Sequence, residues 1–296
     1  MKYRILGMTG LKVSAMGVGT WQFGGEWGQA FTQAVVNEII DKARQLEINL
    51  IDTAECYGNH LSESLVGTAI RSDRHSWVVA TKFGHQFHAN FNRSDHWSAV
   101  EVERSLEASL KALQTDYIDL YQFHSGSNTA FDNPELWQAL EKWVKSGKVR
   151  FVGLSISPND NIYQVERAAA VGASTIQVVY NRLDTQPEAH IFPICLDQNL
   201  GVLARVPLAS GFLSGKYKPG MAFTDADDVR SRRDAAETEE RLRLAQEINR
   251  NEVPQGMDMA AWALAWCLRH PAVSCVIPGC KSPAQVEANA RALLEN

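Results

Sequence analysis

Asn49-Leu50-Ile51-Asp52, Trp77-Val78-Val79-Ala80-Thr81-Lys82 and Ile118-Asp119-Leu120-Tyr121-Gln122-Phe123-His124 decide the fold. Each is a short run rich in apolar residues that ends on an ionisable one. Runs of this kind read as parallel strands buried on both faces. Five more segments share the character: Met16–Thr20, Phe151–Ser155, Thr175–Tyr180, Gly201–Val206 and Val273–Ile277. Between them Thr32–Leu46, Ser62–Arg71, Trp97–Leu113, Asn133–Ser146, Asn161–Val171 and Gln186–Gln198 carry helical spacing. Strand starts recur at close to the roughly 30 residues of a βαβ unit. The interval before the last strand is longer. It holds an extra loop, Gly215–Asp234, and room for two helices.

Such alternation implies an α/β fold with a parallel sheet. Eight units imply closure into a (β/α)8 TIM barrel. The rival, a doubly wound sheet, calls for G-x-G-x-x-G after its first strand. Gly17-Val18-Gly19 continues into Thr20-Trp21-Gln22, without the third glycine, so the barrel is preferred. Lys2–Gly7 and Leu11–Gly17 flank Met8-Thr9-Gly10 and predict an N-terminal β-hairpin. No linker or low-complexity tract interrupts residues 1–296, which read as a single domain.

Composition narrows the class. The chain has 296 residues, 45% of them hydrophobic, and a net charge of −5. No helix face is strongly basic, which argues against nucleic acid. Arg230-Ser231-Arg232-Arg233 reads equally as a solvated loop or as a phosphate contact. Five cysteines without metal-ligand spacing suit free thiols in a reducing compartment, and the N-terminus has no signal-peptide pattern. Ala260–Leu268 is too short to span a bilayer. These features predict a cytoplasmic protein without membrane contact. His85-x-x-His88 lacks the acidic partner of a zinc motif, so no metal is expected. Oligomeric state is left open.

Chemistry gathers at one edge. Asp52, Lys82 and His124 end consecutive strands, and Tyr57 lies in the following loop, Asp52-Thr53-Ala54-Glu55-Cys56-Tyr57-Gly58. Parallel α/β folds place their sites at the C-terminal strand edge. Alone, the aspartate reads as a turn former, the tyrosine as packing, the lysine as solvated and the histidine as a core group. Together they form a proton-transfer set. A nearby cation, Lys82, is expected to lower the Tyr57 pKa, with Asp52 fixing Lys82 and His124 orienting a carbonyl.

The order of motifs resembles the aldo-keto reductases, NAD(P)H-dependent (β/α)8 barrels. Gly17-Val18-Gly19-Thr20-Trp21, the Asp52-to-Gly58 stretch, Thr81-Lys82-Phe83-Gly84, Ser109–His124 and Ile277-Pro278-Gly279 carry the likeness nearly end to end. The resemblance implies a catalytic tetrad of Asp52, Tyr57, Lys82 and His124, with Tyr57 as general acid. It also implies cofactor contacts: Gly19, Thr20, Trp21 and Asp52 toward the nicotinamide, Gln177 and Ser155 at its carboxamide, and Arg205 in the place of a stacking aromatic. Pro207, Leu208, Ala209, Ser210 and Gly211 match the pyrophosphate loop, with Lys216 beside it. Gly279, Lys281, Gln285 and Asn289 fall at the last helix, where Gln285 and Asn289 match adenine contacts.

Three departures stand out. Ile156 follows Ser155 where many members carry an amide, and Arg205 adds charge beside the nicotinamide. The usual Lys-Ser…Arg clamp is absent, leaving Lys281, Lys216 and Arg230 for a 2′-phosphate. NADP(H) is the expected cofactor and NAD(H) the alternative. The chain ends at Asn296, so the Trp21–Gln29, Phe83–Asp95 and Ser125–Phe131 loops are expected to build the substrate pocket. Trp21, Phe23, Trp27, Phe83, Phe87 and Phe91 would make it aromatic. The leading reading is reduction of an aldehyde or ketone to an alcohol, the partner being a small-molecule carbonyl substrate. The alternatives are a non-catalytic cofactor-binding regulatory subunit, like the barrel subunits of potassium channels, and a hydrolase using Asp52 and Glu55.

Overall fold

The computed structural model describes residues 1–294. Its elements in chain order begin with β1 (Tyr3–Ile5), β2 (Lys12–Ser14), β3 (Val18–Gly19), α1 (Gln33–Gln45), β4 (Leu50–Asp52) and α2 (Leu61–Ile70). Then come β5 (Val78–Phe83), β6 (His85–Ala89), β7 (Asn92–Asp95), α3 (Ala99–Leu113), β8 (Ile118–His124), α4 (Asn128–Phe131) and α5 (Pro134–Lys145). The remainder comprises β9 (Val149–Ser155), α6 (Ile162–Glu166), β10 (Ala173–Val179), α7 (Pro187–Asp197), β11 (Gly201–Arg205), α8 (Ala235–Asn251), α9 (Met259–Cys267), β12 (Val273–Ile277) and α10 (Pro283–Leu294).

Strands β3, β4, β5, β8, β9, β10, β11 and β12 form one parallel eight-stranded sheet in sequence order. Its ends meet where the Gly17 N–H donates to the Val276 carbonyl (2.8 Å) and the Gly19 N–H to the Pro278 carbonyl (3.0 Å). The architecture is the expected TIM barrel. β3 is shorter than the predicted Met16–Thr20 because that stretch meets β12 only through isolated bridges. Gly19 is confined by this closure: an added Cβ would lie 2.7 Å from the Ile277 carbonyl oxygen.

The expected hairpin forms from β1 and β2. It plugs the N-terminal end of the barrel, where Leu6 and Val13 join Leu50, Val78, Leu120, Leu203 and Cys275 in an apolar cluster. Strand alternation then sends Asp52, Lys82 and Gln122, each two residues beyond an inward-facing apolar residue, toward the same interior at the other end. An apolar floor and a polar upper layer follow from one period-two pattern.

Ser98 opens α3 with a capping box closed by Glu101, as its sequence invites. The single helix expected over Asn161–Val171 is broken. After α6 the chain tightens, the Ala168 N–H donating to the Val165 carbonyl, and a separate 3-10 turn covers Ala169–Val171. The predicted Phe83–Asp95 loop is instead the antiparallel hairpin β6–β7. No described helix is long and apolar enough to cross a membrane. Glu295 and Asn296, on which the expectation about the chain end depends, lie outside the described residues.

Candidate active site

Asp52 and Lys82 form a buried pair at the polar end of the barrel. Lys82 Nζ donates to Asp52 Oδ2 at 2.7 Å and to the Thr53 carbonyl at 2.6 Å. Asp52 and Lys82 are 4% and 0% exposed, so this pair replaces water for both charges. The other Asp52 oxygen accepts from Gln177 Nε2 at 2.7 Å and from Gln122 Nε2 at 3.3 Å. Ser155 Oγ lies 3.3 Å from Gln177 Oε1. Gln122 was missed from sequence, although its place two residues after Leu120 assigns it to the barrel interior. The carboxylate thus sits on one wall of a fully buried amide network.

Tyr57 reaches this pair from the β4–α2 loop. Its hydroxyl lies 3.5 Å from Lys82 Nζ, and its ring stacks on Trp21 at 6.2 Å between centroids. Gly58 makes the turn at φ +68°, and a Cβ there would stand 2.8 Å from the Gly24 carbonyl oxygen. His124 stands edge-on to Tyr57 at 6.3 Å, and its Nδ1 lies 3.8 Å from the Cys56 thiol. The structure therefore brings all four tetrad candidates together.

Protonation states follow from burial. Burial, and then the charge of Asp52, hold the Tyr57 phenol well above its ordinary value of 10.0, against the pull of Arg205 and Arg93. The lowering expected from Lys82 is outweighed by this burial and by the Asp52 charge. Burial also lowers Lys82, with Asp52 opposing. Burial and the Lys82 charge push His124 well below 6.5, which leaves a neutral imidazole at neutral pH. The Cys56 thiol is pushed up to about 12 by burial and does not ionise near neutrality.

Glu55 yields a test of this electrostatic picture. It is 2% exposed, accepts from the His85 N–H at 2.7 Å through one oxygen, and leaves Oε2 without a partner among the described residues. Burial raises its pKa from 4.5 to about 8. The folded state therefore holds the proton where the unfolded state has lost it. This stability is fully present below the unfolded pKa and is lost as pH rises through about 8. Glu55→Gln is expected to match the parent near about pH 4 and to exceed it by on the order of a few kcal/mol above the folded pKa. Urea unfolding at both pH values checks this, and a pH-independent difference would contradict the assignment.

The tetrad lies at one end of a cleft of about 390 Å³. Gly19, Thr20, Trp21, Gln177, Arg205, Pro207, Leu208, Ser210, Gly211, Lys216, Arg230, Gly279, Lys281, Gln285 and Asn289 all line it. Ser155 does not; it is buried behind Gln177, and Lys82 likewise lies beneath the surface. Of the six expected pocket aromatics only Trp21 and Trp27 line the cleft. Phe23 and Phe83 are fully buried core residues, because their strand and turn face the helix layer. No lining residue comes from Ser125–Phe131. Arg93, on β7, lines the cleft and was not anticipated.

Two chain segments meet across the far half of the cleft. The Gly28 N–H donates to the Asp227 carbonyl (3.0 Å) and the Val229 N–H to the Glu26 carbonyl (3.1 Å). Lys281 Nζ donates to the Trp27 carbonyl at 2.9 Å. Arg230 is paired with Asp228 at 2.5 Å and donates to the Tyr217 hydroxyl at 2.7 Å. Of the three cations expected for a 2′-phosphate, Arg230 is therefore already neutralised. Lys216 has no ion-pair partner among the described residues. Gln285 Oε1 accepts from the Lys281 N–H at 2.8 Å, and Asn289 Nδ2 lies 3.5 Å from Cys280 Sγ.

The residues suit a nicotinamide dinucleotide. Trp27 and Arg205 line the cleft, and the Trp27 indole N–H and Arg205 Nε–H have no acceptor among the described residues, so the lining is rich in unmatched donors, as an acceptor-rich ligand requires. Among the described residues no cluster of His, Cys, Asp and Glu could hold a metal.

Sequence and structure comparisons bear on this geometry. The profile of the Aldo/keto reductase family matches residues 15–296. The NADH-specific methylglyoxal reductase of Escherichia coli is 30% identical over 99% of this chain and 94% of its own length. A probable voltage-gated potassium channel subunit beta of Arabidopsis thaliana is 28% identical over 99% of this chain and 91% of its own. An aldo-keto reductase from Bacillus halodurans, solved in its holo form, superposes with a TM-score of 0.82 at 31% identity, covering 100% of this chain and 92% of that one. With the barrel, the gathered tetrad and a match across nearly its whole length, this chain belongs to the aldo-keto reductase family.

Proposed function

We propose that the protein reduces an aldehyde or ketone to the alcohol, with NADPH as cofactor and Tyr57 as proton donor. One observation carries the reading: the Tyr57 hydroxyl stands at the cleft, 3.5 Å from the ammonium of a buried Lys82–Asp52 pair. The cofactor, when bound, supplies hydride to the carbonyl carbon. Tyr57 then protonates the carbonyl oxygen. A phenol held above its ordinary pKa is fully protonated at neutral pH, as a donor for reduction must be. Lys82 returns a positive charge to the developing phenolate, and Asp52 holds Lys82 in place. His124 is neutral and its Nδ1 lies by the Cys56 thiol; with the thiol donating to Nδ1, the ring presents its Nε2–H to the carbonyl oxygen. Gln177 forms the wall for the nicotinamide amide, with Ser155 buried behind it and bonded to its side-chain oxygen, and Arg205, tied to the Ile156 carbonyl at 3.2 Å, lies at its ring. We read the whole chain as one functional unit in the cytoplasm, five buried unpaired cysteines being consistent with a reducing compartment.

NADPH is preferred because Lys216 and Lys281 line the far cleft, and the E. coli relative named as NADH-specific makes NADH the alternative. Fluorescence titration with both cofactors tests this. Lys281→Ala is expected to weaken NADPH by about 1–2 kcal/mol, the scale of one charge-assisted contact, and to leave NADH nearly unmoved. Equal weakening of both would assign Lys281 to holding Trp27 instead. The relative named as a channel subunit motivates the second reading, a cofactor-binding regulatory subunit. Tight cofactor binding without turnover on any reactive aldehyde would favour it.

A further inference from the structure

The β6–β7 hairpin brings a second guanidinium to the mouth of the cleft. Phe87 pairs with Arg93 across it, and the His96 N–H ties its base to the Gly84 carbonyl at 2.9 Å. Arg93 Nη2 is paired with the carboxylate of Glu26, which is fully buried. Glu26 also accepts from the Trp21 indole N–H at 2.5 Å and the Phe91 N–H at 2.9 Å. Its oxygens are therefore occupied, and Arg93 is pinned by one nitrogen.

The remaining donors of Arg93 have no acceptor among the described residues. A guanidinium offers five N–H groups in a planar fork. Arg93 Nε is buried without a partner among the described residues, while the side chain as a whole is 24% exposed and lines the cleft beside Tyr57 and His124. Its charge is near enough to Tyr57 to pull the phenol's pKa down. Charges around the acid do not cancel. Lys82, Arg93 and Arg205 face Asp52 and Glu26, Glu55 keeps its proton, and Arg205 has no carboxylate within ion-pair distance among the described residues. Arg205 is a half-buried cation without an ion-pair partner among the described residues, and Arg93 keeps donors unmatched; an anion at the cleft relieves both.

We propose that the carbonyl substrate is an anion, an oxo-acid whose carboxylate is held by Arg93 while its carbonyl faces Tyr57 and His124. This rests on the reductase reading above. Arg93 acts as the specificity residue, Glu26 fixing its fork so that little freedom is lost on binding. A planar carboxylate matches the planar guanidinium edge left free.

The test compares 4-oxobutanoate with butanal in the holoenzyme. The wild type is expected to show the higher kcat/KM for 4-oxobutanoate. Arg93→Gln is expected to lower the ratio of the two values by about ten- to a hundredfold, the scale of one charge-assisted contact. Because that change strands the Glu26 carboxylate, the double variant E26Q/R93Q, which leaves a neutral pair, is measured beside it and is expected to lose the preference equally. Calorimetric titration of the cofactor-loaded protein with butanoate and butanamide gives an activity-independent readout. Butanoate should bind more tightly than butanamide only when Arg93 is present. Equal kcat/KM for both aldehydes in the wild type, or a ratio unmoved in both variants, overturns the carboxylate site and leaves the reductase reading intact. Arg93-dependent binding of butanoate without turnover of either aldehyde supports the carboxylate site and removes the reductase reading.

Discussion

Tyr57→Phe is expected to lower kcat for carbonyl reduction by roughly 10²–10⁴, the usual contribution of a general acid. The change removes one oxygen. It leaves the ring stacked on Trp21 and the Lys82–Asp52 pair untouched, so the cleft keeps its shape. Cofactor affinity is expected to stay within about threefold, because the phenol faces the carbonyl and is not among the cations and amides proposed to hold the dinucleotide. Steady-state kinetics with a reactive aldehyde, beside a fluorescence titration, separates the two effects. A variant that keeps more than about a third of the parental kcat would remove Tyr57 from the role of donor.

Lys82→Met should do two things at once. Asp52 would remain 4% exposed with its cation gone, and breaking a buried pair by removing one partner costs about 3–5 kcal/mol. The amides of Gln177 and Gln122 still reach Asp52, which sets the loss toward the lower end of that range. Activity should fall as well, since the nascent phenolate loses the ammonium 3.5 Å away. The apparent pKa of the proton donor, read from the pH profile of kcat/KM, should rise. The double variant D52N/K82M replaces the charged pair by neutral groups and should recover most of the stability without recovering activity. Urea unfolding of the three proteins decides the structural half. A single variant as stable as the parent would show that the pair is not held in the dry environment described here, and an unshifted pH profile would mean that Lys82 does not tune Tyr57.

The barrel and its tetrad were legible because both rest on short-range pattern. Runs such as Trp77–Lys82 announce a strand by composition and its end by a charge, and period two alone decides that Lys82 faces inward above Val78 and Ala80. Pairings set by tertiary packing were not legible. Arg93 finds Glu26 across sixty-seven positions of sequence, on a hairpin whose turn lacks the usual glycine. Phe91 sits there at φ +62°, a conformation that side chains seldom adopt, so the left-handed position carries no glycine or asparagine to mark it. The sequence offered Arg230 as a phosphate contact, and only the folded loop shows its charge spent on Asp228. The Tyr57 pKa was misjudged for a related reason. Proximity of a lysine can be read from strand order, whereas the depth of burial that outweighs it cannot.

Hydride transfer itself is the claim on which the reading stands. The protein is mixed with NADPH carrying deuterium at the transferable position and with a reactive aldehyde, and the product is analysed by mass spectrometry. The expected product is an alcohol with one deuterium on its former carbonyl carbon, formed by the parent and roughly 10²–10⁴-fold more slowly by Tyr57→Phe. Bound cofactor that stays reduced, with the aldehyde recovered unlabelled, would contradict it.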